Sequence, residues 1–301
     1  MKKILLIILS IVLLILPFGC QKADSGKVKI CVTMYPLYDF ACKIAEDKAD
    51  IISIVPTGDL HHYTPTTSDM MNITESDLVI YNGAGLEEWL EDIMETLDDS
   101  VKAVEAANGI ALLDSNGELI TDETEEHEID PHIWLYPLNA KKMMENIKNA
   151  ITDIDPENAD FYNANYLKYA AEFDKLDNEY ITQLQNIVVD TIIVAHKAFG
   201  YLCHAYGLNQ VAALDENAEG DLSITDMESL KNIINEKGIK IVFYEELQGD
   251  DTAQSLVEAS NAESIMPLSP VNALTDKQSS DGDDYFAIMR ANLTAIKAAV
   301  L

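Results

Sequence analysis

Arginine is almost absent from this chain: Arg290 is the only one, and lysine and arginine together number 20 against 52 aspartates and glutamates. The formal net charge of −32 excludes nucleic acid as a partner, because nothing here neutralises a run of phosphates. An acidic body instead raises the local concentration of cations. Cysteine is scarce as well. Beyond Cys20 there are only Cys31, Cys42 and Cys203, an odd number with no CxxC spacing, which argues against a disulfide framework and a thiolate zinc site. Those three are expected to be small buried hydrophobes. No HExxH segment marks a zinc protease helix, and no sequence repeat points to a solenoid.

Long apolar runs are missing too, except at the start. Lys2 and Lys3 precede an apolar stretch from Ile4 to Leu16, followed by Pro17, Gly19 and Cys20. That is the layout of a secretory signal ending at a cysteine that receives lipid. Residues 1–19 are accordingly expected to be the signal, Cys20 the lipidation site and residues 20–26 a polar tether. Pro17 departs from the aliphatic residue usual at its position. No later segment approaches the roughly 18 apolar residues of a spanning helix. The expected location is extracytoplasmic, on the cell membrane by a lipid anchor, with the mature body a monomer.

What is present is an alternation of strands and helices on either side of one long amphipathic helix. In the first half, apolar strands at residues 27–34, 51–55 and 78–81 alternate with helical segments at 37–47, after 67 and at 86–97, and a further helix covers 138–151. In the second half, strands at 191–195, 210–214, 240–244 and 264–268 alternate with helices at 199–206, 226–237, 252–260 and 285–301. Such alternation builds parallel sheets with crossover helices. Between the halves, Tyr162, Tyr166, Tyr169, Phe173, Leu176, Tyr180, Leu184 and Ile187 recur every three or four residues, which is one apolar stripe on one helix. Asp155 is expected to cap it and Pro156 to open it. A helix over 155–188 is roughly 50 Å long at 1.5 Å per residue. The predicted fold is α/β: two similar lobes, 27–154 and 189–301, with mainly parallel sheets joined by one long rigid backbone helix.

Ligands of open parallel sheets sit beyond the carboxyl ends of the strands. Three of the six histidines fall at such places or just after a loop: His61 in LHHYTP, His132 in DPHIW and His196 in VAHKAFG. Imidazoles held far apart in sequence suit a zinc site built between elements. His62, His127 and His204 are the weaker candidates. The carboxylates from Asp122 to Glu128 read as a solvated loop that collects cations loosely.

GDLHHYTPTTSD, LVIYNGAGLEEWL, DPHIWLYP, HKAFGYLCHAYGL and DGDDYFAIMRANL together resemble the metal-binding lipoprotein receptors of zinc and manganese ABC importers, in order and over nearly the whole mature chain. The resemblance implies two α/β lobes on a rigid helix. It also implies metal ligands at His61, His132 and His196, with Asp283 as the fourth. Leu60 stands where the family often has proline, and Thr64 where glutamate is frequent. The long histidine-rich loop of many zinc members is replaced by the short acidic stretch with His127 alone.

Manganese members carry glutamate at the third position, and this chain carries His196. Three nitrogens against at most one carboxylate favour zinc, whereas manganese prefers more oxygens. Glu219 and Glu245 are expected to be supporting rather than ligating. The expected function is capture of a divalent ion, zinc before manganese, and its delivery to the membrane permease of an ABC importer. A zinc-dependent hydrolase is the alternative from another class, lacking a motif for a general base, and a surface adhesin is a third reading.

Overall fold

The computed structural model describes residues 26–54, 60–61, 63–94, 97–98, 100–122, 127–214 and 222–301. Cys20 with its leader, His62 and Glu219 lie outside the described residues. In the first lobe, strands β1 (Val28–Val32), β2 (Ala49–Ser53), β3 (Leu78–Tyr81) and β4 (Lys102–Glu105) form one parallel sheet in the order β2-β1-β3-β4. In the second, β5 (Thr191–His196), β6 (Asn209–Leu214), β7 (Ile241–Tyr244) and β8 (Ser264–Pro267) form another in the order β6-β5-β7-β8. The first lobe's helices are α1 (Tyr35–Ala45), α2 (Thr67–Thr74), α3 (Glu88–Met94) and α4 (Pro137–Ile154). Then comes the long α5 (Ala159–Gln183), followed by α6 (Gly200–Tyr206), α7 (Ile224–Lys237), α8 (Asp251–Ala259), α9 (Asp276–Asp281) and α10 (Tyr285–Val300).

Alternation of side chains along each strand explains the layers. Ile30 and Val32 of β1, and Leu78 and Ile80 of β3, belong to one large core. Cys31 and Val79, between them, face a smaller outer cluster with Ile54, Ile73, Leu90 and Ile93. The second lobe repeats the scheme: Ile192, Val194, Ile241 and Phe243 face the large core, while Ile193 and Val242 face an outer cluster with Leu230, Ile234 and Leu256. Strands buried on both sides need the continuous apolar runs that the sequence shows.

The large core is common to both lobes, and α5 is one of its walls. Tyr162, Phe173, Leu176 and Tyr180 are fully buried in it, and Tyr166, Tyr169 and Ile187 pack at its margin. The predicted stripe is therefore real. Its partners are α4, α1 and α10, so the helix joins the lobes as part of a shared packed layer.

Its ends differ from expectation. Pro156–Asn158 form a turn of 3-10 helix before α5, and the helix stops at Gln183 instead of Val188. The Asp155 side chain makes no capping bond to a backbone N–H; its Oδ2 accepts from Asn158 Nδ2 and the Tyr162 hydroxyl. Those two side-chain donors occupy the carboxylate that was expected to cap.

Direct bonds tie the lobes together behind the cleft. Trp134, fully buried, donates its indole N–H to the Pro270 carbonyl at 2.7 Å. The Tyr285 hydroxyl donates to the Trp134 carbonyl at 2.6 Å, and the Leu113 N–H donates to the Tyr201 hydroxyl at 2.9 Å. Lys43 on α1 reaches Asp284, the N-cap of α10, at 3.1 Å. Cys31, Cys42 and Cys203 are free thiols, two of them buried. Among the described residues, no helix is long and apolar enough to cross a membrane.

Candidate metal centre

His61, His132 and His196 converge. Each offers one ring nitrogen, and these three atoms all lie within 4.8 Å of one another. Ring centroids are 5.2 Å apart for His61 and His132, 5.3 Å for His132 and His196, and 6.4 Å for His61 and His196. His132 is buried and the other two are half-buried. Among the described residues, no other group of three or more histidines, cysteines or carboxylates is close enough to hold an ion.

The local sequence explains each placement. His196 is the last residue of β5, and its parallel neighbour β7 pairs Ile193 with Val242. Carried to the strand ends, the same register puts His196 beside Glu245, and its Nδ1 is hydrogen-bonded to Glu245 Oε1. Glu245 is 4% exposed and also accepts from Gln248 Nε2. His132 opens a 3-10 turn over Ile133–Leu135. Both its backbone N–H and its Nδ1 meet Asp130 Oδ1 at 2.9 Å.

The NGAG turn after β3 supports that segment from below. Asn82, fully buried, donates from Nδ2 to the Pro131 carbonyl at 3.0 Å. The buried Glu87 carboxyl accepts from Asn82 N, Gly83 N and Thr33 Oγ1, and burial pushes its pKa up. Gly83 has φ +81°, and a Cβ there would stand 2.1 Å from Glu105 Oε1. His61 follows β2. The loop after it is held by Tyr63, whose hydroxyl donates to Asp69 Oδ2 at 2.6 Å, and by a capping box between Thr66 and Asp69.

When ionised, Asp130 and Glu245 only accept, which selects the tautomer with a proton on Nδ1 and turns Nε2 toward the cleft. The Nε2 atoms of His132 and His196 are 3.4 Å apart. Two nitrogens each about 2.05 Å from a tetrahedral zinc are separated by about 3.3–3.4 Å, so the spacing fits a shared ion. Burial, and secondarily the neighbouring His196, lower the pKa of His132 well below its ordinary value. Burial also pushes the Asp130 carboxyl up to about 7, against the pull of the His132 N–H bond.

Asp283 does not belong to the group of three nitrogens. It sits between Gly282 and Asp284 at the start of α10, and its charge reaches the Tyr35 hydroxyl at the start of α1, whose pKa is raised by burial first and by nearby aspartates second. His127 donates from Nε2 to the Asp122 carbonyl at 3.2 Å, and His204 is exposed on α6; neither joins the three. Asp130 was missed in the sequence. The signal for it was its place two residues before a histidine, where a carboxylate reaches Nδ1.

From residue 30 to residue 299 the sequence matches the family described as the periplasmic component A of the zinc-uptake complex. The chain belongs to that family. It is a family of uptake components and not of enzymes, which sets aside the hydrolase reading. The high-affinity zinc uptake system protein ZnuA of Bacillus subtilis is 31% identical over 290 residues, covering 94% of this chain and 91% of that protein. The zinc-binding lipoprotein AdcA of Streptococcus pneumoniae is 29% identical over 306 residues, or 99% of this chain. The chain spans 61% of the length of that and the other streptococcal AdcA relatives it matches. The crystal structure of the Zn(II)-bound ZnuA-like domain of Streptococcus pneumoniae AdcA superposes with a TM-score of 0.80 at 27% identity, covering 91% of this chain and 99% of that one.

Proposed function

We propose that this chain is an extracytoplasmic receptor that captures one zinc ion between its lobes and hands it to the membrane permease of an ABC importer. The carrying observation is the convergence of His61, His132 and His196, with ring nitrogens within 4.8 Å of one another. Zinc is cargo here. Three imidazoles fit a borderline-soft ion content with four ligands, and they fit manganese less well. The fourth donor is Asp283, which closes onto the ion from the start of α10, with water holding the place until it does.

His61 and His132 precede α5 and His196 follows it, so the ion bridges residues 27–154 and 189–301, with 155–188 as the linking segment. The shared core behind the cleft limits how far these parts can swing. Protons competing for imidazole, and a permease that prises the lobes apart, both favour release. The leader ending in Gly19 and Cys20 supports a lipid anchor at Cys20, with the body on a polar tether.

Competition binding tests the reading. The protein is stripped with chelator and titrated with zinc and with manganese. One zinc per chain, bound tightly and resistant to excess manganese, is the expected result; tighter binding of manganese would overturn it.

A further inference from the structure

Gly200 opens α6, four residues beyond His196 in the second lobe. Its backbone does not require glycine, since its φ is not in the left-handed region; what it provides is space. A Cβ added there would stand 2.1 Å from Asp130 Oδ2, 3.4 Å from Asp130 Cγ and 3.4 Å from Gln210 Nε2. The same Asp130 carboxylate holds His132 through both its backbone N–H and its Nδ1.

We propose that Gly200 is a positioning residue for the metal centre, leaving the gap that lets the Asp130 carboxylate lie against α6 while it orients His132. The proposal rests on the zinc-receptor reading. Asp130 has nowhere else to go. It is 3% exposed, its N–H donates to the Leu113 carbonyl at 3.0 Å, and the Leu113 N–H is bonded to Tyr201, the residue after Gly200. A methyl group at position 200 therefore forces one of two moves. If the carboxylate swings away, His132 loses the partner that sets its tautomer and ring angle. If α6 backs off, it draws on His196, to which it is joined by a short turn with Ala198 N–H bonded to the His196 carbonyl. Either way a ligand from one lobe is held in place by the seating of the other, so the two halves of the site are set together.

The experiment is a double-variant cycle read by zinc affinity in chelator competition, using the unaltered chain, Gly200→Ala, Asp130→Ala and the pair. Gly200→Ala is expected to weaken zinc about 10- to 100-fold, as loss of a ligand's supporting partner does. In the Asp130→Ala background the methyl meets no carboxylate, and the added cost is expected to fall below about 2-fold. A Gly200→Ala chain that fails to fold while the pair folds gives the same support. Equal cost in both backgrounds, no cost in either, or misfolding of both overturns the proposal. Failure of the unaltered chain to bind zinc is a different result, and overturns the receptor reading together with this one.

Discussion

His132 Nε2 lies 3.4 Å from His196 Nε2, although the two rings come from segments 64 residues apart, one before α5 in the chain and one after it. Each ring has its Nδ1 on a carboxylate, Asp130 in one case and Glu245 in the other. Two acceptor nitrogens turned toward one space repel each other unless a proton or a cation sits between them, so the arrangement favours an ion. Structural zinc sites are worth about 10–16 kcal/mol over four ligands, or roughly 3 kcal/mol per ligand. His132→Ala and His196→Ala are each expected to weaken zinc about 100- to 1,000-fold in chelator competition, with the metal-free circular dichroism unchanged.

Glu245, just after β7, is 4% exposed and is hydrogen-bonded to His196 Nδ1. Glu245→Gln keeps its size and removes its charge. Zinc affinity is expected to fall about 10- to 100-fold, and thermal unfolding of the metal-free protein to change little by comparison.

Proton release on loading follows from Asp130. Burial pushes its carboxyl up to about 7 in the metal-free protein, so at pH 6 most molecules carry that proton. A divalent cation on the far ring nitrogen of His132 favours the Asp130 carboxylate, and the proton leaves when zinc arrives. Burial, with His196 beside it, lowers the pKa of His132 well below its ordinary value, so the proton in question is that of Asp130. Affinity therefore rises with pH through about 7 and flattens above it. Calorimetry in buffers of different ionisation enthalpy is expected to show close to one more proton released at pH 6 than at pH 8; equal release at both would contradict this.

Trp134 ties the lobes by its bond to the Pro270 carbonyl. Trp134→Phe leaves that buried acceptor without its donor, at a cost of about 1–3 kcal/mol, with a further contribution from the smaller ring. Denaturant unfolding is expected to show the loss of stability. Zinc affinity is expected to change by less than in the histidine variants.

Much of this architecture is legible in the sequence because both sheets are covered on two faces. The run Leu78–Tyr81 must be apolar throughout, and it was found with the bounds it has in the structure. Strand β4 was missed: Lys-Ala-Val-Glu is a four-residue edge strand with a charge at each end, so burial leaves little mark on it. Helix α9, Asp276–Asp281, buries no residue and shows no periodicity for the same reason. The three histidines stood out by their places at strand ends and beside loops. Asp130 offered only its place two residues before His132, and Gly200 offered nothing, because its meaning lies in a contact between lobes that no spacing within one segment records.

The central claim is that three imidazoles remote in sequence hold one ion. Anomalous diffraction at the zinc edge, from crystals of the chain loaded with one equivalent of zinc, tests it most directly. The account predicts a single strong peak about 2.0–2.1 Å from a ring nitrogen of each of His61, His132 and His196. A peak elsewhere on the acidic surface, with these rings empty of metal, would contradict it.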